Sequence, residues 1–108
     1  MNDFDIPIFK KTYDLFKDFH GALKNFPKSE KYVLGSRSEE IVIDIIANIL
    51  EASQSPRGEK AVHLEKASIK LNLLRVYVRL AKDIKALDNS KYISFQGSID
   101  EIGRMLGG

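Results

Sequence analysis

The chain contains no cysteine, which excludes disulfides, thiolate nucleophiles and cysteine-ligated zinc, and fits a reducing cytoplasm. No apolar run approaches the roughly 20 residues that a membrane-spanning helix needs. The first residues, with Asp3 and Asp5 ahead of Pro7, lack the basic-then-apolar order of a secretory signal. A soluble, cytoplasmic protein without membrane contact is the expectation. Gly-rich phosphate loops, nucleophile elbows and His-x3-His metal pairs are also lacking, so neither cofactor, metal ion nor catalytic residue is expected.

Proline is scarce, and its three copies fall at breaks. Pro7 suits the first turn of a helix, Pro27 interrupts one, and Pro56 lies in the loop Ser53-Gln54-Ser55-Pro56-Arg57-Gly58. Between these breaks the apolar residues recur at helical spacing. A first helix is predicted from Pro7 to Phe26, with Phe9, Phe16, Phe19, Leu23 and Phe26 on one face. A second is predicted from Ser36 to Ala52. Ser36-Arg37-Ser38-Glu39 has capping-box spacing, although helix running unbroken through Gly35 is the alternative. A third is predicted from Lys60 to Asp88. The fourth follows Asp88-Asn89-Ser90 and carries Tyr92, Phe95, Ile99, Ile102 and Leu106 on one face.

No segment reads as a strand. The expected fold is all-α, an antiparallel up-down-up-down four-helix bundle that forms a single domain over residues 1–108, large enough for a core without staples.

The third helix has more apolar surface than such a bundle uses. Val62, Ile69, Leu73, Val76, Leu80 and Leu87 share one face, and Ala67, Leu71, Leu74, Val78 and Ala81 form a second beside it. A monomer needs one. The surplus predicts a homo-oligomer, and Leu71, Leu74, Val78 and Ala81 are assigned to the contact between subunits. The remaining stripe is basic.

Net charge is only +2, but its distribution is uneven: residues 1–54 hold seven Lys/Arg against nine Asp/Glu, and residues 55–108 hold ten against six. A local positive field attracts phosphate even when average charge is slight. Arg75, Arg79 and Lys82 follow i, i+4, i+7 spacing, and Lys10, Lys17 and Lys24 follow a seven-residue spacing on the first helix. Lys66, Lys70 and Arg104 are further candidates. Two readings stand for these side chains: phosphate contacts that are indifferent to sequence and sensitive to salt, or structural ion pairs, with Glu40, Asp44 and Glu51 of the second helix as partners for Arg75 or Arg79. Tyr77 and Tyr92 are assigned to an interface. The spacing Arg57-x5-His63 is reminiscent of all-helical HEPN ribonucleases. Gly58 follows that arginine, which lies in a Pro-Gly loop, so the chain is not read as an enzyme.

Several segments together resemble a known family. They are Phe9-Lys10-Lys11-Thr12-Tyr13-Asp14-Leu15, Phe26-Pro27-Lys28-Ser29-Glu30-Lys31-Tyr32, Leu34-Gly35-Ser36, Leu64-Glu65-Lys66-Ala67-Ser68 and Glu101-Ile102-Gly103-Arg104-Met105-Leu106-Gly107-Gly108. In this order they resemble the accessory variability protein (Avd) of diversity-generating retroelements. More distantly, they resemble the four-helix-bundle proteins encoded in intervening sequences of bacterial large-subunit ribosomal RNA genes. The resemblance implies a barrel-like homopentamer, likewise non-catalytic, that binds RNA or DNA through a basic surface. It also implies partnership with a reverse transcriptase that copies template RNA with errors. In one departure, relatives are expected to extend the last helix with aromatic and basic residues where this chain reads Gly107-Gly108. The alternative within the resemblance is a structural or interaction bundle of the ribosomal-intervening-sequence type, without direct nucleic-acid binding.

Overall fold

A computed structural model describes residues 7–107; Asp3, Asp5 and Gly108, which enter the reading of the two ends, lie outside the described residues. Among the described residues the chain is helical without strands. Its four long helices are α1 (Pro7–Leu23), α2 (Ser36–Gln54), α3 (Lys60–Asp83) and α4 (Asn89–Gly107). Each packs along the next, and α4 closes back onto α1. The extents of 43 × 22 × 22 Å suit helices of this length lying side by side.

The apolar stripes read from the sequence meet along the bundle axis. Phe19, Val42, Ile45, Leu74, Val78, Ile99 and Ile102 are almost completely buried. The Phe19 ring meets Phe26 edge-on at 5.8 Å and Phe95 at 5.4 Å, which ties the end of α1 to α4. Two hydroxyls in this interior are satisfied within their own helical runs. Thr12 Oγ1 donates to the Ile8 carbonyl and Ser38 Oγ to the Leu34 carbonyl, each at 2.8 Å.

Three boundaries differ from the sequence reading. First, α1 ends at Leu23, and Phe26 reaches the core from the following turn.

Second, the capping box at Ser36 does not form. A helical turn at Lys28–Glu30 and a π-helical turn at Lys31–Gly35 lead without a break into α2, so there is no exposed helix start to cap. Ser36 Oγ donates back to the Lys31 carbonyl at 3.2 Å, and the Glu39 carboxylate lies 2.6 Å from His20 Nδ1 of α1. Gly35 is buried here with ordinary helical backbone angles. Its missing side chain matters because a Cβ would run into Leu23 Cδ1 and touch Phe26. Gly35→Val is expected to lower stability by about 2 kcal/mol through overpacking, read as a lower urea midpoint with unchanged slope.

Third, α3 ends at Asp83 rather than Asp88. The Ala86 amide bonds to the Ala81 carbonyl at 2.8 Å and the Lys85 amide to the Lys82 carbonyl at 2.9 Å. With Lys85 at φ 67°, this is a Schellman ending. Ala86 and Leu87 turn inward beyond it. Asp88 then caps α4, its Oδ1 accepting the Lys91 amide at 2.7 Å.

Candidate functional site

Helix α3 positions every strong candidate, and its orientation in the bundle sorts them. Ala67, Leu71, Leu74, Val78 and Ala81 point into the core, with Ala67 and Ala81 fully buried. This corrects the assignment of Leu71, Leu74, Val78 and Ala81 to a contact between subunits. They are 2%, 1%, 1% and 0% exposed within one protomer, which leaves nothing of them for a partner to touch. The two alanines on that face allow close approach of the neighbouring helices, the use for which small residues suit a core.

The opposite face of α3 is the one left open. Val62, Ile69, Leu73, Val76 and Leu80 are 54%, 61%, 39%, 54% and 44% exposed. With Lys66 they alternate steps of four and three residues, the register in which one helix packs lengthwise on another. The apolar surface continues over the junction with α2, where Ile43 is exposed and a shallow groove is lined by Ala47, Asn48, Lys66, Ile69 and Lys70. A monomer rarely displays a contiguous stripe of this kind without a use for it. The sequence held a signal for which face turns out: Lys66 falls in this register, and an ammonium group does not belong in a protomer core.

The two flanks of the open seam are polar. On the α2 side, Lys70 Nζ lies 3.2 Å from Asp44 Oδ2, and His63 Nδ1 lies 3.0 Å from Glu51 Oε2 without hydrogen-bond geometry. His63 is therefore set beside a carboxylate of the bundle, while Arg57 is exposed in the 3-10 turn Arg57–Glu59. On the α4 side, Ser68, Asn72, Arg75, Arg79 and Lys82 run along the cleft between α3 and α4.

Under the alternative reading of structural ion pairs, Arg75 and Arg79 find partners other than Glu40, Asp44 and Glu51. Arg75 Nη1 donates to Asp100 Oδ1 of α4, and Arg79 Nε donates to Asp83 one turn along α3, at 3.2 Å. The hydrogen bond that Arg79 donates to Asp83, then the charge of Asp83, then Tyr92 hold the Arg79 guanidinium above its usual pKa, reinforcing a charge already permanent. Lys82 Nζ sits 4.6 Å from the centre of the Tyr92 ring, a cation–π contact that joins the end of α3 to the start of α4. Tyr77 and Tyr92 are both half-buried in the protomer.

The other predicted cations are scattered. Lys10 pairs with Asp14 at 3.1 Å, and Lys17 lies 5.7 Å from the Tyr13 ring centre. Lys17 and Lys24 meet Lys91, a residue the sequence reading passed over, around a cavity shared by α1 and α4. Only the fold could reveal that meeting, because Lys91 is remote from them in sequence. Arg104 is exposed at the far end of the α3–α4 cleft, which also contains Asp100 and Gly103.

The four helices leave one apolar seam exposed, with a cation-lined cleft beside it. The chain matches the bAvd-like family over residues 7–108 and belongs to it. It is thus an accessory protein of the Avd type. No curated protein matches the chain. Among the described residues, no helix is long and apolar enough to cross a membrane.

Proposed function

We propose that this protein is a non-catalytic accessory subunit that assembles as a homopentamer, binds nucleic acid through a basic surface and partners a retroelement reverse transcriptase. The exposed seam of α3 beside the Arg75–Arg79–Lys82 cleft supports this reading most directly. A neighbour packed lengthwise on the seam brings its own cleft alongside, so a modest set of cations is repeated around the assembly. Repetition supplies avidity that one protomer lacks. The reverse transcriptase supplies the polymerase chemistry, and the accessory subunit holds template and enzyme together.

Binding of structured RNA and double-stranded DNA across a salt series, with native mass taken on the same sample, tests this reading. The expected result is a pentamer whose affinity falls steeply with salt, because each neutralised phosphate releases condensed counterion. Arg75→Glu with Arg79→Glu is expected to weaken binding by about tenfold or more at low salt while helicity and native mass are retained. Loss of assembly in this double variant would make the two arginines structural.

The internal partners of Arg75, Arg79 and Lys82 favour a second reading, an interaction bundle of the ribosomal-intervening-sequence type whose cations only stabilise the fold. A pentamer that binds no nucleic acid at low salt would select it.

A further inference from the structure

We propose that the cleft between α3 and α4 is a phosphodiester subsite whose cationic wall is occupied by Asp100 when no nucleic acid is bound. This rests on the nucleic-acid reading above and adds to it the point of contact and the group that regulates it.

The cleft is open to solvent and measures about 460 Å³ between Ser68, Asn72 and Arg75 of α3 and Asp100, Gly103 and Arg104 of α4, with the buried Leu71 beneath. Two guanidinium groups, a hydroxyl, a carboxamide and one carboxylate therefore line the same cleft, and the carboxylate is in contact with Arg75. Asp100 holds Arg75, while Ser68, Asn72 and Arg104 make no side-chain hydrogen bond or ion pair among the described residues. Gly103 eases the arrangement: a Cβ there would lie 3.1 Å from Arg75 Nη2, a tight contact from which the guanidinium would have to shift by a few tenths of an ångström.

The charge balance suits a monoanion such as a phosphodiester. Arg75 and Arg104 against Asp100 leave one positive charge in excess, and a phosphodiester carries one negative charge. Arginine's planar fork suits phosphate oxygens as well as it suits a carboxylate, while the free hydroxyl and amide can donate to the remaining oxygens. Asp100 is half-exposed, and an exposed ion pair of this kind contributes little to stability, so exchange of carboxylate for phosphate is feasible without disturbing the bundle. Arg79 differs, because its partner Asp83 sits on the same helix outside this cleft. Asp100 thus behaves as an internal competitor that sets the affinity of the site.

The test is fluorescence anisotropy of a labelled structured RNA and a labelled duplex DNA, over a salt series, with wild type, Asp100→Asn and Glu101→Gln. Glu101 is the adjacent acid, pairs with Lys11 at 2.9 Å outside the cleft, and its substitution changes net charge by the same amount. Asp100→Asn is expected to tighten binding about fivefold at low salt and to steepen the salt dependence; Glu101→Gln is expected to change affinity less than about twofold. Arg104→Gln is expected to weaken wild-type binding about threefold and to remove most of the Asp100→Asn gain. Equal tightening by Asp100→Asn and Glu101→Gln would overturn the subsite in favour of a bulk charge effect. Wild-type binding with no gain in Asp100→Asn would also overturn it, while leaving nucleic-acid binding intact. Absence of binding by wild type and all variants would overturn both.

Discussion

Ile69→Glu combined with Val76→Glu is expected to give a folded, helical protomer that no longer assembles. The two side chains are 61% and 54% exposed on the outer face of α3, so neither contributes to the protomer core. In an assembly built on this seam, each glutamate would enter a largely apolar contact in which Lys66 is the one charged member of the register. Burying an unpaired carboxylate costs several kcal/mol, or else forces the group to take up a proton. A closed ring meets that penalty at every interface, because each subunit carries both substitutions. Native mass spectrometry would read the change directly, with circular dichroism confirming that helix content is retained. An oligomer of unchanged mass would remove the seam from the subunit contact. Loss of helicity would instead mean that this face is needed within the protomer.

The second large effect separates two adjacent leucines. Leu74→Ala is expected to lower protomer stability by about 2–5 kcal/mol, the range for deleting a buried leucine side chain and leaving a cavity. At about 4–8 °C per kcal/mol for a domain near this size, the melting temperature is expected to fall by roughly 10 °C or more. Leu74 is 1% exposed and sits at the centre of the core with Leu71 and Val78. Leu73→Ala, one residue earlier, is expected to change protomer stability by less than about 1 kcal/mol, because Leu73 is 39% exposed. In the proposed assembly its effect is expected on association instead. The two melts must be compared at one protomer concentration, since association raises apparent stability by mass action. Similar losses in both variants would show that the outer face of α3 is as firmly packed as the inner one.

The candidate site was legible in the sequence to a limited depth. Periodicity exposed both apolar faces of α3 and the basic stripe between them, because helical spacing alone sorts residues around an axis. The choice of face was wrong for Leu71, Leu74, Val78 and Ala81. Each face is apolar enough to serve as core, and the sequence of one helix does not contain the direction of its neighbours. Lys66 in the outer register and Ala67 with Ala81 in the inner one were the available clues.

The partners of the charged residues were less accessible. Arg79 with Asp83 and Lys10 with Asp14 are i, i+4 pairs, which spacing does predict. Arg75 with Asp100, Lys11 with Glu101 and His20 with Glu39 join different helices, and nothing local points from one to the other.

The sequence by itself determined that the described chain is helical, how many long helices it has, which residues are apolar on each, and that α3 carries one apolar face more than its bundle requires. These properties follow from spacing along a single helix and from residues such as Pro27, Gly58 and Asp88 that punctuate it. The tertiary structure alone decided which face of α3 turns inward, that a Cβ on Gly35 would meet Leu23, and that Asp100 of α4 pairs with Arg75. Each of those depends on the rotation and separation of helices about one another, set by the packing of all four stripes at once rather than by any stretch of chain.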